Sequence, residues 1–197
     1  MRRLIAFVED EGHRVVIGAV VRRMSESMNV PVDLVFRTSR GGHGRVLREL
    51  REYARVLRDT RATDADCLLV ATDANCRGPN EKMREINEVL EGVALSRVYA
   101  IPDPHVERWL LLDAGALSRV FDHNVDVTVP DKCERDIYKN RLMQVVEKAG
   151  LEPLAGGLEF AENIIAEYDL MRTAWSDSAF GVFLAQLRAF LNRIRET

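Results

Sequence analysis

The sequence predicts an α/β chain: a mostly parallel four-stranded sheet flanked by helices, followed by a helical C-terminal appendage. Three observations predict it. Short apolar runs at Leu4–Val8, Val32–Phe36, Asp66–Thr72 and Val98–Ile101 read as buried strands. Between them lie stretches with apolar residues at three- and four-residue spacing, the period of a helix with one buried face. After about Phe121 the strand-like runs stop and helical stripes take over.

Taken in order, Leu4–Val8 ends in the acidic burst Glu9-Asp10-Glu11 before Gly12. Val16, Val20, Met24 and Met28 then recur every four residues, with Arg14, Arg22 and Arg23 off that stripe. Pro31 stops the helix, since proline lacks an N–H and crowds the preceding turn. The glycine-rich loop Ser39-Arg40-Gly41-Gly42-His43-Gly44-Arg45 follows the second strand and precedes a helix with Val46, Leu50, Tyr53 and Leu57 on one face. Gly78-Pro79 breaks the chain after the third strand, ahead of a helix over Asn80–Glu91 with Met83, Ile86 and Leu90 inward. Pro102 and Pro104 bracket the exit of the fourth strand, and a helix starts near His105 with Trp109 and Leu112 toward the core. Residues 122–132 are polar, include Pro130 and read as a connection. Phe160, Ile164, Tyr168 and Met171 form one later stripe; Phe180, Phe183, Leu187, Phe190 and Ile194 form another, suited to a core or to a partner helix. The expected organisation is an α/β core over 1–120 and a helical extension over 121–197 packed on it.

A chain of 197 residues can bury one medium core. Its net charge of -3 provides no global attraction to nucleic acid, so such binding needs a local basic face. The three cysteines, Cys67, Cys76 and Cys133, are odd in number and lack CxxC spacing, which argues against a disulfide framework or a zinc knuckle. Cys67 is expected in the core, and the pattern suits a reducing compartment. The N-terminal apolar run is too short for a signal peptide, and nothing has the length of a membrane span. A cytoplasmic protein without membrane contact is the expectation; self-association is left open.

In a parallel sheet the functional crevice lies at the carboxyl ends of the strands. Glu9 follows the first strand and Asp73-Ala74-Asn75 the third, so folding can bring these acids together. A carboxylate from each of two strand ends suits Mg²⁺, which takes hard oxygen ligands, water and substrate phosphate; Asn75 would add a neutral oxygen. Equally, Asp73 and Asn75 suit a turn or an Asx cap, and Glu9-Asp10-Glu11 an acidic helix start. Glu107, in the first turn after the fourth strand, reads as a ligand, a general base or a solvated side chain. The Arg40–Arg45 loop could cradle phosphate through backbone N–H groups, with Arg40 and Arg45 adding charge, or simply connect strand to helix. Lys132, Arg135 and Lys139 align at helical spacing as a phosphate-facing ridge or an exposed charged helix. His13 follows Glu9 by one turn and is expected as an exposed helix residue bordering the acids. No zinc spacing of histidines and no GxSxG elbow occurs.

Together these features resemble the TOPRIM fold (Rossmann-like) of topoisomerases, bacterial primases and OLD-type nucleases. LIAFVEDEG matches the apolar-Val-Glu pattern with Glu9 in the glutamate position, and LLVATDAN offers Asp73 and Asn75 where that family has Asp-x-Asp. Over most of its length the chain is similar to small TOPRIM-like proteins of bacterial defence islands with ATPase partners. SRGGHGRVLRELREYA, VATDANCRGPNEK, IPDPHVERWLLLD and KCERDIYK carry that likeness. The resemblance implies a Mg²⁺- or Mn²⁺-dependent nuclease acting on DNA or RNA, an antiphage effector working with an ATPase. It implies Glu9 as general acid, base or ligand and Asp73 as metal ligand. Asp10 stands where the family has glycine, and Asn75 replaces the second aspartate, which lowers the site's charge. A non-catalytic regulatory or scaffold module is the alternative that Asn75 favours, and a small-molecule phosphate enzyme using the glycine-rich loop is a third reading.

Overall fold

The computed structural model describes residues 2–38, 41–60, 63–128, 133–134 and 136–196. Four strands, β1 (Arg2–Val8), β2 (Val32–Thr38), β3 (Cys67–Ala71) and β4 (Ser96–Ala100), pair in parallel in the order β2-β1-β3-β4. Helices α1 (Glu11–Ser27), α2 (His43–Thr60) and α3 (Pro79–Val89) make the crossovers. The expected α/β architecture is therefore present.

The strand period of two divides the core. Leu4, Ala6 and Val8 of β1 face α1, while Ile5 and Phe7 face α2 and α3. Because both faces are covered, β3 is apolar at every position and buried throughout, as a central parallel strand should be.

Beyond β4 a 3₁₀ turn, Val106–Leu111, replaces the expected longer helix, and α4 (Ala114–Phe121) follows from an Asp113 cap. The C-terminal helices are α5 (Ile137–Lys148), α6 (Ala161–Glu167), α7 (Leu170–Ser176) and α8 (Ser178–Arg195). They complete the larger core on the α1 face, where Phe180, Phe183, Leu187 and Phe190 are buried with Trp109. The indole of Trp109 stacks on Phe183 at 5.7 Å and meets Phe180 edge-on at 5.0 Å. Tyr168 donates its hydroxyl to the Trp109 carbonyl at 2.6 Å. Arg108 donates to the Asp103 carbonyl and to Asp177, the cap of α8. The chain just past β4 is thus bolted to the C-terminal helices.

Two expectations are corrected. Met171 is 53% exposed, because the helical phase breaks at Tyr168, whose ψ of 137° is extended, before α7 starts anew. Cys76 and Cys133 form a disulfide across 57 residues, their Cα atoms 6.0 Å apart. Sequence spacing alone could not show that approach, and an odd count leaves room for one bridge plus the free, buried Cys67.

Candidate active site at the strand exits

The carboxyl ends of β1 and β3 lie side by side, since Val8 pairs with Ala71. The next residues inherit that register. The Glu9 N–H donates to the Ala71 carbonyl at 3.1 Å, and the Asp73 N–H donates to Glu9 Oε2 at 3.1 Å. Folding therefore places the Asp73 backbone against the Glu9 carboxylate, an approach that the sequence pattern allowed.

Asp73 is held between two imidazoles. His105 Nδ1 lies 3.0 Å from Oδ2, and His13 Nε2 lies 3.1 Å from Oδ1. The second contact is an ion pair without a well-aligned hydrogen bond. His13 Nδ1 in turn meets Asp10 Oδ1 at 2.8 Å, and Asp10 caps α1 by accepting the His13 N–H. The result is a chain Asp10–His13–Asp73–His105 in which carboxylates and imidazoles alternate.

Electrostatics follow from that order. Burial alone would lower the pKa of the fully buried His13, but the charge of Asp73 and the bond to Asp10 outweigh it and hold the imidazolium to about 10. Burial pushes Asp73 up, yet the charge of His13 and the bond from His105 bring it below the usual carboxylate value. His105 is raised by its bond to Asp73 against partial burial. Glu107 is raised, first by burial and then by the nearby Asp73 charge. The His13 and His105 imidazoles act the other way without cancelling the rise, so Glu107 holds a proton more readily than an ordinary glutamate.

A second relay starts from the same glutamate. Thr72 donates its hydroxyl to Glu9 Oε2 at 2.5 Å, His43 Nδ1 lies 2.9 Å from the Thr72 oxygen, and His43 Nε2 lies 2.6 Å from Glu85 Oε2. Lys82, itself buried, stands 3.7 Å from Glu85. The glycine-rich loop therefore packs on Glu9: a Cβ at Gly42, where φ is +77°, would sit 3.7 Å from Glu9 Oε1. That contact gives the described part of the loop, Gly41–Arg45, a supporting role for Glu9.

The remaining predicted residues divide. Asn75 adopts φ 51°, donates its side-chain amide to the Asp73 carbonyl at 3.4 Å, and lines the same cavity as Asp73. Asp10 and Glu11 serve α1, Glu11 by pairing with Arg14, which is the capping reading. Arg45 is paired with Glu49 at 3.0 Å on the surface of α2. Arg40, Lys132 and Arg135 lie outside the described residues. Lys139 joins Asp73, His105, Glu107, Asp136 and Tyr138 around a cavity of about 430 Å³ whose rim carries the disulfide.

His13 is a correction: it is fully buried. The signal was present, because His13, Val16, Ile17 and Val20 share one helical stripe. His105 and Thr72 also escaped sequence reading; both sit at strand exits, where any polar residue merits weight.

Among the described residues no three His, Cys, Asp or Glu side chains form a ready ligand set. A divalent ion would be held by one or two carboxylates and completed by water and substrate oxygens, the usual mode for Mg²⁺. Asp73 has one oxygen, Oδ1, with no aligned hydrogen bond, and a carboxylate offers about four acceptor sites, but an ion bound there would compete with the His13 imidazolium 3.1 Å away. No helix among the described residues is long and apolar enough to cross a membrane. Comparison of the chain with protein-family models, with curated proteins and with solved structures gave no match in any of the three.

Proposed function

We propose that the protein is a Mg²⁺- or Mn²⁺-dependent nuclease that hydrolyses phosphodiesters of DNA or RNA at the β1–β3 crevice. The observation that carries this reading is the Asp73 N–H donating to Glu9 Oε2, which sets the Glu9 carboxylate against the backbone of Asp73 where two adjacent central strands end. A divalent ion bound at Asp73 would polarise the phosphate and offset its charge. Glu107 takes the proton of the attacking water as the new P–O bond forms. His105 is fixed through Nδ1, so Nε2 is the atom that gives a proton to the leaving oxygen as the old P–O bond breaks. Glu9, fixed by Thr72 and the Asp73 N–H, orders the crevice, and Lys139 steadies a non-bridging phosphate oxygen from the cavity wall.

In this reading the protein acts as a defence effector under an ATPase partner. The contrary reading, a scaffold without catalysis, draws on the way both oxygens of Asp73 face imidazoles. One experiment separates them: a cleavage panel on single- and double-stranded DNA and RNA with Mg²⁺ or Mn²⁺. Wild-type protein is expected to cut, and Asp73→Ala and Glu9→Gln, shown to be folded, to lose about 10²-fold or more of the rate. No cutting by the wild type, alone or with an ATPase partner, overturns the proposal; full partner binding by the same variants would then establish the scaffold.

A further inference from the structure

The two edges of the sheet are treated differently. At the β4 edge the Tyr99 N–H is capped by Gln186 Oε1 at 2.8 Å, and Arg193 of the same helix bonds Ser96. At the β2 edge, Val32–Thr38 form no backbone hydrogen bond beyond the pairing with β1 among the described residues. β2 is seven residues long, unbroken by proline or bulge, and Val35 at its centre is 36% exposed. Such an edge is a template for another strand.

Its charges select the strand. Asp33 and Arg37 lie two residues either side of Val35, on one face with it. Pair β2 antiparallel with itself about Val35, and Asp33 of each copy faces Arg37 of the other, Leu34 faces Phe36 and Val32 faces Thr38. A parallel in-register pairing would set Asp33 on Asp33 and Arg37 on Arg37, which is repulsive. On the opposite face a groove of about 370 Å³ runs beside Val32 and Leu34, bounded by Val21, Arg22 and Val30 of the same chain. The partner's Phe36 falls opposite Leu34, at the mouth of that groove. Both charged residues already have partners: Asp33 accepts from Arg3 at 2.7 Å, and Arg37 lies over the Tyr53 ring at 5.3 Å. A second copy would add to those contacts, sharing the Asp33 carboxylate with Arg3, since a carboxylate offers about four acceptor sites.

We infer that β2 is a homodimer interface: two copies of this chain join edge to edge, antiparallel about Val35, to make one continuous eight-stranded sheet, with twice the four strands of the single chain. The arrangement is independent of the proposed chemistry, and the strand exits of the two copies would point in opposite directions.

Sedimentation of the full chain tests it, with oxidative cross-linking of Val35→Cys as a second measure. The wild type should sediment at twice the chain mass. Asp33→Arg should raise the dissociation constant about tenfold or more, because two symmetric attractive pairs become repulsive, and Asp33→Arg/Arg37→Asp should recover most of the loss. Val35→Cys should cross-link to a covalent dimer, since directly opposed Cα atoms in an antiparallel pair stand about 4.5–5.5 Å apart. Wild-type protein treated alike should not. A wild type that stays monomeric at tens of micromolar overturns the inference. So does a dimer that neither cross-links through position 35 nor responds to charge reversal, which would assign the contact to another surface.

Discussion

The Cys76–Cys133 bond closes 57 residues of chain, and its contribution to stability can be worked out from that number. In the loop-closure account, a cross-link over this span removes about 14 cal/mol/K of entropy from the unfolded chain, or about 4 kcal/mol at 25 °C. With a urea dependence of about 2 kcal/mol/M, reasonable for a chain of this size, the unfolding midpoint should fall by about 2 M on loss of the bond. Three samples make the comparison: oxidised wild type, reduced wild type and Cys133→Ser. Cys76→Ser should match Cys133→Ser, and the double variant should be no worse than either, because all remove the same constraint. Thiol titration of the unreduced, denatured wild type should find the one free cysteine, Cys67. Three titratable thiols in that sample, or coincident midpoints with and without reductant, would refute the reasoning.

Two further outcomes follow from the anchoring contacts. Tyr168→Phe removes the donor to the buried Trp109 carbonyl and should cost about 1–2 kcal/mol in urea unfolding, with no change in fold by circular dichroism. Burial pushes the Asp113 carboxyl up, but the bonds from Arg172 and the Ala116 N–H outweigh it and set its pKa below 3.8. The stability it supplies is therefore full above the unfolded value near 3.8 and lost as pH falls through the lower folded value. Arg172→Ala should lower the unfolding midpoint at neutral pH and flatten the acid limb of a stability–pH profile, measured by urea unfolding between pH 2 and 6.

Much of the fold was legible because burial on both sheet faces leaves an unmistakable trace. The run Leu68-Leu69-Val70-Ala71 admits hardly any other reading than a central strand. The neighbourhood of Glu9 and Asp73 was legible for a related reason: a parallel sheet delivers all its strand exits to one rim. The partners of the histidines were not. His13 sits on an otherwise apolar stripe, and its burial is tolerated only because two carboxylates, Asp10 and Asp73, compensate its charge from separate elements. No single-residue propensity encodes that. The 3₁₀ turn carrying Glu107 was read as a longer helix because apolar spacing cannot tell a brief tight turn from the start of an α-helix. Cys76 and Cys133 escaped because their meeting depends on a left-handed turn at Asn75 and Cys76, with φ 51° and 63°, which local sequence only weakly signals.

The clamp of Trp109 between Phe180 and Phe183 makes the last helix a foundation for groups it never touches. His105 and Glu107 precede that indole by four and two residues, so their aim at Asp73 is set by aromatic rings some seventy positions further along the chain. Hydrocarbon packing near the C-terminus thereby helps fix where the His105 imidazole stands at the rim of the sheet.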